Sequence, residues 1–321
     1  PMPPTLGFLL AEHARTGDAG ALDMAVGTLR AMGRGGIYDQ VGGGFHRYSV
    51  DASWRVPHFE KMLYDNAQLA VLLLAAYQAG RDPELARLAR ETLDALLRDF
   101  ERPGGGFYSA EDADSLAAAG AAEKSEGAFY VWEAAELREA LGADAEAFLF
   151  RYGVEDDGNA PEDPHGEFSG KNILYAARSI AETAAKFGKT QGETRRALEA
   201  ARKALLERRS RRPRPHRDEK VLVSWNGPAM SAFAKGAQVL EEPRYAQAAA
   251  RTAAFLRERM YDPKAKRLKR RWADTEAAVD GLAEDYAFLA QGLLDLFESG
   301  FDPGRLEWSL GRDRVRRAGI A

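Results

Sequence analysis

The sequence contains no cysteine, which excludes disulfides, thiolate nucleophiles and cysteine-based zinc sites. Long apolar runs are missing too. The longest, Leu69 to Tyr77, falls far short of the roughly 20 residues that a membrane-spanning helix needs. The opening PMPPTLGFLL has neither a basic stretch nor a small-residue cleavage pattern, so no signal peptide is read there. An excess of either charge is also absent: 45 Lys and Arg stand against 49 Asp and Glu, a net −4, which gives no footprint for nucleic acid or a membrane surface. The five histidines form no HExxH or comparable ligand spacing, and the glycine runs lack the Gly-Lys-Ser/Thr ending of a phosphate loop. These absences lead to the expectation of a cytoplasmic protein with no metal and no organic cofactor, and they disfavour hydride and phosphoryl transfer.

What is present is helical pattern. With 45% hydrophobic residues in 321, the chain can build a sizeable core. Two helices are expected between residues 5 and 33, broken at Gly17-Asp18. A helix over about 60–79 is apolar almost all round, as a buried helix is. It stops at GRDPE, where Asp82 suits an N-cap and Pro83 a first helical position. The next helix, Glu84 to Phe100, has one apolar and one charged face. The same contrast returns in residues 226–240 against 244–260, and a third buried-type helix, Glu284 to Glu298, is followed by a new Asp-Pro start at Asp302 and Pro303. Shorter helices are expected at 133–141 and 143–152, a loop at 153–170 and a charged helix at 191–210. The tetrapeptide Gly42-Gly43-Gly44-Phe45 recurs as Gly104-Gly105-Gly106-Phe107, sixty-two residues later. Repetition at that period points to an array of helical hairpins.

Connection lengths alternate. Turns within pairs are short, but the connections at 34–58, 103–130, 211–225 and 261–283 are long enough to be functional. In an antiparallel array the long loops share one end, and most of the unusual polar and aromatic residues lie in them or on the helical turn that follows. His46, His58 and His216 are candidates for proton transfer near neutral pH. Asp65, Asp112 and Asp285 join them as carboxylates that orient hydroxyls or, if opposed across a cleft together with Asp114, serve glycoside hydrolysis. The candidate binding residues are Arg47, Trp54, Glu60, Lys61, Tyr64, Asn66, Glu111, Asp114, Asp218, Lys220, Trp225, Asn226, Glu284 and Tyr286, because flat rings beside hydrogen-bonding groups match a hydroxyl-rich ring. The plainer reading of Glu60, Glu284 and Asp285 is that negative charge favours a helix start; that of the glycines is turn geometry.

Several stretches in order, GGIYDQVGGGFHRYSVDASWRVPHFEKMLYDNAQL, GGGFYSAEDADS, EGAFYVW, SGKNIL, RPRPHRDEKVLVSWNG and EDYAFLAQGLLDLFE, resemble the thioredoxin-domain-containing protein family of the spermatogenesis-associated protein 20 type, from the N-terminus to about Leu310. The resemblance implies an all-α fold, an (α/α) toroid of helical hairpins like those of six-hairpin glycosidases and N-acylglucosamine 2-epimerase-type enzymes. It also implies a sugar-like ligand and, in full-length relatives, a thioredoxin-like domain ahead of PMPPTL. Residues 1–310 are expected to form the toroid, open at its C-terminal end, and 311–321 an irregular Arg-rich tail. The expected activity is that of a sugar epimerase or isomerase; a glycoside hydrolase, or a non-catalytic binding module working with a thioredoxin-like domain, is the alternative.

Overall fold

The computed structural model describes residues 2–118, 120–160 and 168–309. Its helices are α1 (Pro3–Thr16), α2 (Ala19–Arg34), α3 (Leu63–Gly80), α4 (Pro83–Asp99), α5 (Ala134–Leu141), α6 (Ala145–Arg151), α7 (Ile180–Lys186), α8 (Gln191–Arg209), α9 (Val223–Val239), α10 (Pro243–Arg259), α11 (Ala283–Gly300) and α12 (Pro303–Ser309). Short strands fill the connections: β1 (Tyr48–Ser49), β2 (Pro57–His58), β3 (Lys61–Met62), β4 (Ala110–Glu111), β5 (Asp114–Leu116), β6 (Lys124–Glu126), β7 (Arg217–Asp218), β8 (Val221–Leu222), β9 (Tyr261–Asp262), β10 (Arg267–Ala273) and β11 (Glu276–Asp280). The chain divides into two compact units. One, here the helical unit, comprises Met2–Val26, Met62–Ala110 and Arg217–Ala321; the other, the loop-rich unit, comprises Gly27–Lys61 and Glu111–His216.

In the helical unit the expected alternation of buried and half-wet helices is realised as the hairpins α3–α4, α9–α10 and α11–α12. α3 buries residues on all sides, among them Leu63, Leu69, Leu72, Leu73 and Leu74, each contributing about 1.5–3 kcal/mol relative to exposure. Its last turn closes on Arg81 in the left-handed conformation, whose N–H donates to Tyr77. The Asp82 side chain then accepts from the Glu84 amide and Pro83 opens α4, so the turn follows from three residues. α9 packs against α3, α10 and α11. Gly227 and Gly292 make the last of these contacts possible: a Cβ on Gly227 would lie 2.3 Å from the Phe288 carbonyl oxygen, and one on Gly292 would lie 2.6 Å from that of Gly227.

The connection 261–283 differs from its expected loop. Strands β10 and β11 form an antiparallel ribbon there, and β10 also pairs with β8 through Arg271↔Leu222 and Trp272↔Val221. The ribbon has an anchor in the half-buried Trp272, whose ring meets Phe255 edge-on at 5.6 Å. The second GGGF lies here as well. Gly104, Gly105 and Gly106 all have positive φ, the Arg102 amide donates to the Gly106 carbonyl, and Phe107 is fully buried and stacked on Phe233 at 4.9 Å.

In the loop-rich unit the first GGGF also closes a tight turn, one residue longer than the second. Gly43 and Gly44 have positive φ, the Asp39 amide donates to the Gly44 carbonyl, and Phe45 is fully buried. The letter repeat therefore marks two related turns, each ending in a bridge to a buried Phe, Tyr38↔Phe45 and Glu101↔Phe107. α5, α6 and α8 enclose a core that includes Trp132, Phe148, Tyr152, Leu198 and Leu205, and Phe59, Phe129, Tyr130 and Phe168 belong to a second one. α7, too short to show a helical period in the sequence, is capped at Ser179 with Glu182 in a reciprocal box. Strands β1 and β2 pair antiparallel, as do β5 and β6.

Candidate functional site

The helices of the helical unit leave a groove of about 530 Å³ lined by α1, α3, α9 and α11. Each helix presents one face. α3 contributes Tyr64, Gln68, Val71 and Leu72; α9 contributes Ser224, Trp225, Pro228, Ser231 and Lys235; α11 contributes Glu284, Phe288, Gln291 and Asp295. Apart from the adjacent pairs Val71-Leu72 and Ser224-Trp225, successive residues are three or four apart, so each set lies on one face of its helix. Tyr64, Trp225 and Glu284 stand on the first turns and mark the mouth. There the Tyr64 and Trp225 rings meet at 4.8 Å with an interplanar angle of 63°, and Glu284 pairs with Arg270 at 2.5 Å.

The groove is mostly apolar with a few polar points. At its far end Asp295, 4% exposed, accepts from Lys235 through Oδ1 at 2.8 Å. Its Oδ2, together with the hydroxyls of Ser224 and Ser231, has no hydrogen-bond partner among the described residues. Pro228 inside α9 also leaves the Ser224 carbonyl without its helical donor. Of the groove-lining residues, Tyr64, Trp225 and Glu284 were expected from sequence; Gln68, Ser224, Ser231, Lys235, Gln291 and Asp295 were not.

The other candidates of the helical unit are tied into the framework around the mouth. Asp285, fully buried, accepts from the Ser224 amide at 3.0 Å, the Leu282 amide at 2.8 Å and Arg270 at 3.1 Å, and so joins the start of α9 to that of α11. The Asn226 side chain accepts from the Phe107 amide at 2.8 Å and donates to the Phe107 and Leu222 carbonyls. Asn66 donates to the Met62 carbonyl, and Asp65 is buried on the first turn of α3. Asp218 and Lys220 form an ion pair at 3.0 Å. The Tyr286 hydroxyl accepts from the Leu268 amide and holds β10.

The loop-rich unit gathers a second set of candidates around His58. The ring stacks on Tyr48 at 4.8 Å. Its Nδ1 lies 2.7 Å from Glu126 and its Nε2 3.8 Å from Glu60, which is itself bonded to Arg47 at 2.7 Å. Glu126 was not expected from sequence because it ends the three-residue strand β6, too short to show a strand period. His46 is different in kind. It is 1% exposed with Nδ1 2.9 Å from the Phe59 carbonyl, and burial, reinforced by Lys61, pushes it down to about 3.

Lys61, expected to bind a ligand, is instead buried in an ion cluster. Its ammonium lies 2.8 Å from Asp39, whose carboxylate also takes both guanidinium nitrogens of Arg209 at 2.8 and 2.7 Å. Burial alone would raise Asp39, but Arg209 and Lys61 outweigh it and hold the carboxyl well below its usual range. Glu111 is likewise buried, paired with Arg214 at 2.6 Å and approached by the Tyr130 hydroxyl. Asp112 is half-buried and its amide donates to the carbonyl of His216, whose side chain is exposed. Asp114 is exposed on β5, and Trp54 is half-buried with φ 60°. Among the described residues no group of three or more His, Asp or Glu is arranged to hold a metal ion, and no helix is long and apolar enough to cross a membrane.

Comparison with solved structures defines the class. The chain superposes on a D-mannose isomerase with a TM-score of 0.52 at 11% identity, covering 91% of this chain and 49% of that one. A family 76 glycoside hydrolase from a bovine Bacteroides thetaiotaomicron strain gives 0.52 at 11% identity over 96% and 44%. An unsaturated glucuronyl hydrolase from Bacillus sp. GL1 gives 0.51 at 14% identity over 98% and 60%. The fold is thus all-α, of the (α/α) toroid class built from helical hairpins. No family model matches the chain. Human spermatogenesis-associated protein 20, however, is 40% identical over 334 aligned positions, 97% of this chain, and an uncharacterised Caenorhabditis elegans protein is 35% identical over 90% of it. The chain belongs to the spermatogenesis-associated protein 20-like family, and it spans 42% of the length of these relatives.

Proposed function

We propose that this chain is a carbohydrate-active domain of epimerase or isomerase type that holds its sugar in the groove between α3, α9 and α11. The observation that carries the reading is the groove's composition: Tyr64 and Trp225 offer flat apolar faces, while Gln68, Glu284 and Gln291 offer separated hydrogen-bonding points. A pyranose needs that mixture, since its ring faces are C–H surfaces and its rim is hydroxyl. The fold likeness to sugar isomerases and glycoside hydrolases agrees with the reading at the level of the fold.

Between the two enzyme classes the carboxylates favour isomerisation. Glu284 and Asp295 are the acidic residues lining the groove, and they stand on one helix about 16 Å apart along its axis. Glycoside hydrolysis uses carboxylates roughly 5–9.5 Å apart on opposite sides of the bond. Asp65, Asp112, Asp114 and Asp285 are absent from the lining, and Asp285 is consumed in joining two helix starts. Isomerisation instead needs one group that removes and returns a proton beside a carbonyl. Glu284, at the mouth of the groove, is proposed for that role; His58 and His216, expected from sequence, belong to the loop-rich unit and are absent from the lining, and His46 is buried and neutral.

The test is deuterium uptake by D-mannose and D-glucose in heavy water, followed by proton NMR, together with calorimetric binding. Binding and exchange at C2, with affinity reduced about tenfold or more in Trp225→Ala and exchange abolished in Glu284→Gln, is the expected result. No binding of either sugar to this chain or to a full-length relative would overturn the proposal. For those longer proteins, the thioredoxin-like domain that the resemblance implies is part of the proposal as a separate partner domain.

A further inference from the structure

We infer that the groove takes a ligand longer than one sugar ring, a polyhydroxylated chain whose far end is anchored by Ser231, Lys235 and Asp295. The inference rests on the sugar reading above and adds the length of the ligand and the residues that measure it.

The polar points are distributed along the groove. Ser224 stands at the mouth, Ser231 two helical turns further on, and Lys235 a turn beyond that, so the rise from first to last is about 16 Å. On the facing helix Glu284, Gln291 and Asp295 repeat the same progression. Between them the walls are apolar, through Val71, Leu72, Pro228 and Phe288. A single ring held at Tyr64 and Trp225 would leave the far half unused.

That far half has unmet hydrogen-bonding capacity. Ser231 and Asp295 are 6% and 4% exposed, yet Ser231 Oγ and Asp295 Oδ2 have no hydrogen-bond partner among the described residues. Buried polar atoms are nearly always paired, so each such atom calls for a partner. The chemistry of that partner follows from the pair. Asp295 Oδ2 only accepts, while Lys235 Nζ, 2.8 Å from Oδ1, carries three donors. Two neighbouring hydroxyls satisfy both at once, one donating to Oδ2 and the other accepting from Nζ, with Ser231 able to do either. An aliphatic chain would leave Oδ2 unpaired, and an anion would meet the carboxylates of Glu284 and Asp295.

Calorimetric titration with D-mannose, D-glucose and their β-1,4-linked di- and trisaccharides tests the inference on wild type, Asp295→Asn, Ser231→Ala and Lys235→Met, with thermal melts to verify that each variant is folded. The expected result is that a trisaccharide binds at least about tenfold more tightly than its monosaccharide, and that at least two folded variants lose most of that margin while keeping the monosaccharide affinity within about twofold. Equal affinity for short and long sugars in the wild type, or an undiminished margin in all folded variants, overturns the inference and leaves the sugar reading intact. Failure to bind any of these sugars overturns both.

Discussion

Asn226 and Phe107 hold each other in both directions: the Asn226 side chain accepts from the Phe107 amide at 2.8 Å and donates to the Phe107 carbonyl at 3.1 Å. A side-chain amide here takes the place of a strand neighbour, fixing the second GGGF turn to the start of α9. Asn226→Ala strands a buried amide and a buried carbonyl, and is expected to cost about 1–3 kcal/mol per unpaired group. Urea denaturation measures it; a loss below about 0.5 kcal/mol would mean that the tie is dispensable.

The ion cluster of the loop-rich unit makes a larger claim. Arg209 and Lys61 share Asp39 in a site that excludes solvent, so removing one member leaves charge behind without its partner. Arg209→Met is expected to destabilise by about 3–5 kcal/mol, and the double variant Asp39→Asn/Arg209→Met by less than the sum of the single changes. Additive losses in a double-mutant cycle would contradict the coupling.

Acid should weaken the same unit in two stages. His46 is held near 3 by burial, whereas the unfolded chain protonates it near 6.5. Between those values the unfolded state binds the extra proton, so stability falls as the pH drops from about 6.5 towards 3, by up to about 1.4 kcal/mol per unit. Asp39 acts lower down: its carboxyl is depressed below the usual 3.8, so its contribution is intact above that value and is lost as the pH falls beneath it. Unfolding midpoints between pH 7 and 4 should decline, and His46→Leu should flatten the decline by nearly one proton. An unchanged slope in the variant would refute the assignment.

Gly227→Ala and Gly292→Ala should both be severe. The added methyl meets backbone rather than a movable side chain at 2.3 and 2.6 Å, and overpacking of that kind costs about 1–3 kcal/mol or more. Gly80→Ala, with no neighbour within 4 Å, serves as the control and should be neutral or slightly stabilising. Equal melting temperatures for all three would mean that α9 and α11 separate more readily than their contact implies.

Much of the hairpin array is legible in the sequence because each piece rests on local chemistry. Asp82-Pro83 sets a helix start whatever lies around it, and the all-apolar α3 has no surface to offer. The ribbon of β10 and β11 was hidden because KRLKRRWADTEAAVD is rich in charges at both alternating positions, so no period-two pattern emerges. The mouth of the groove was legible through Tyr64, Trp225 and Glu284, which stand at the ends of long connections. Its far end was not, because Ser231, Lys235 and Asp295 lie inside stretches that read as core. The signal was nevertheless there: Lys235 is the single charge of the apolar α9 and Asp295 stands between leucines in GLLDLFE, and such charges call for a partner. The burial of Lys61 was not legible, since the Asp39 that holds it also takes Arg209 from far along the chain, and only folding brings the three together.

The backbone contact of Gly227 with Gly292 also bears on how this fold can drift over generations. Where side chains separate two helices, every substitution resets their spacing. Here the spacing is fixed by main-chain atoms, which substitution does not change. Residues along the groove can therefore be exchanged one at a time without altering its width, so a lineage can change what it recognises while keeping the vessel in which it does so.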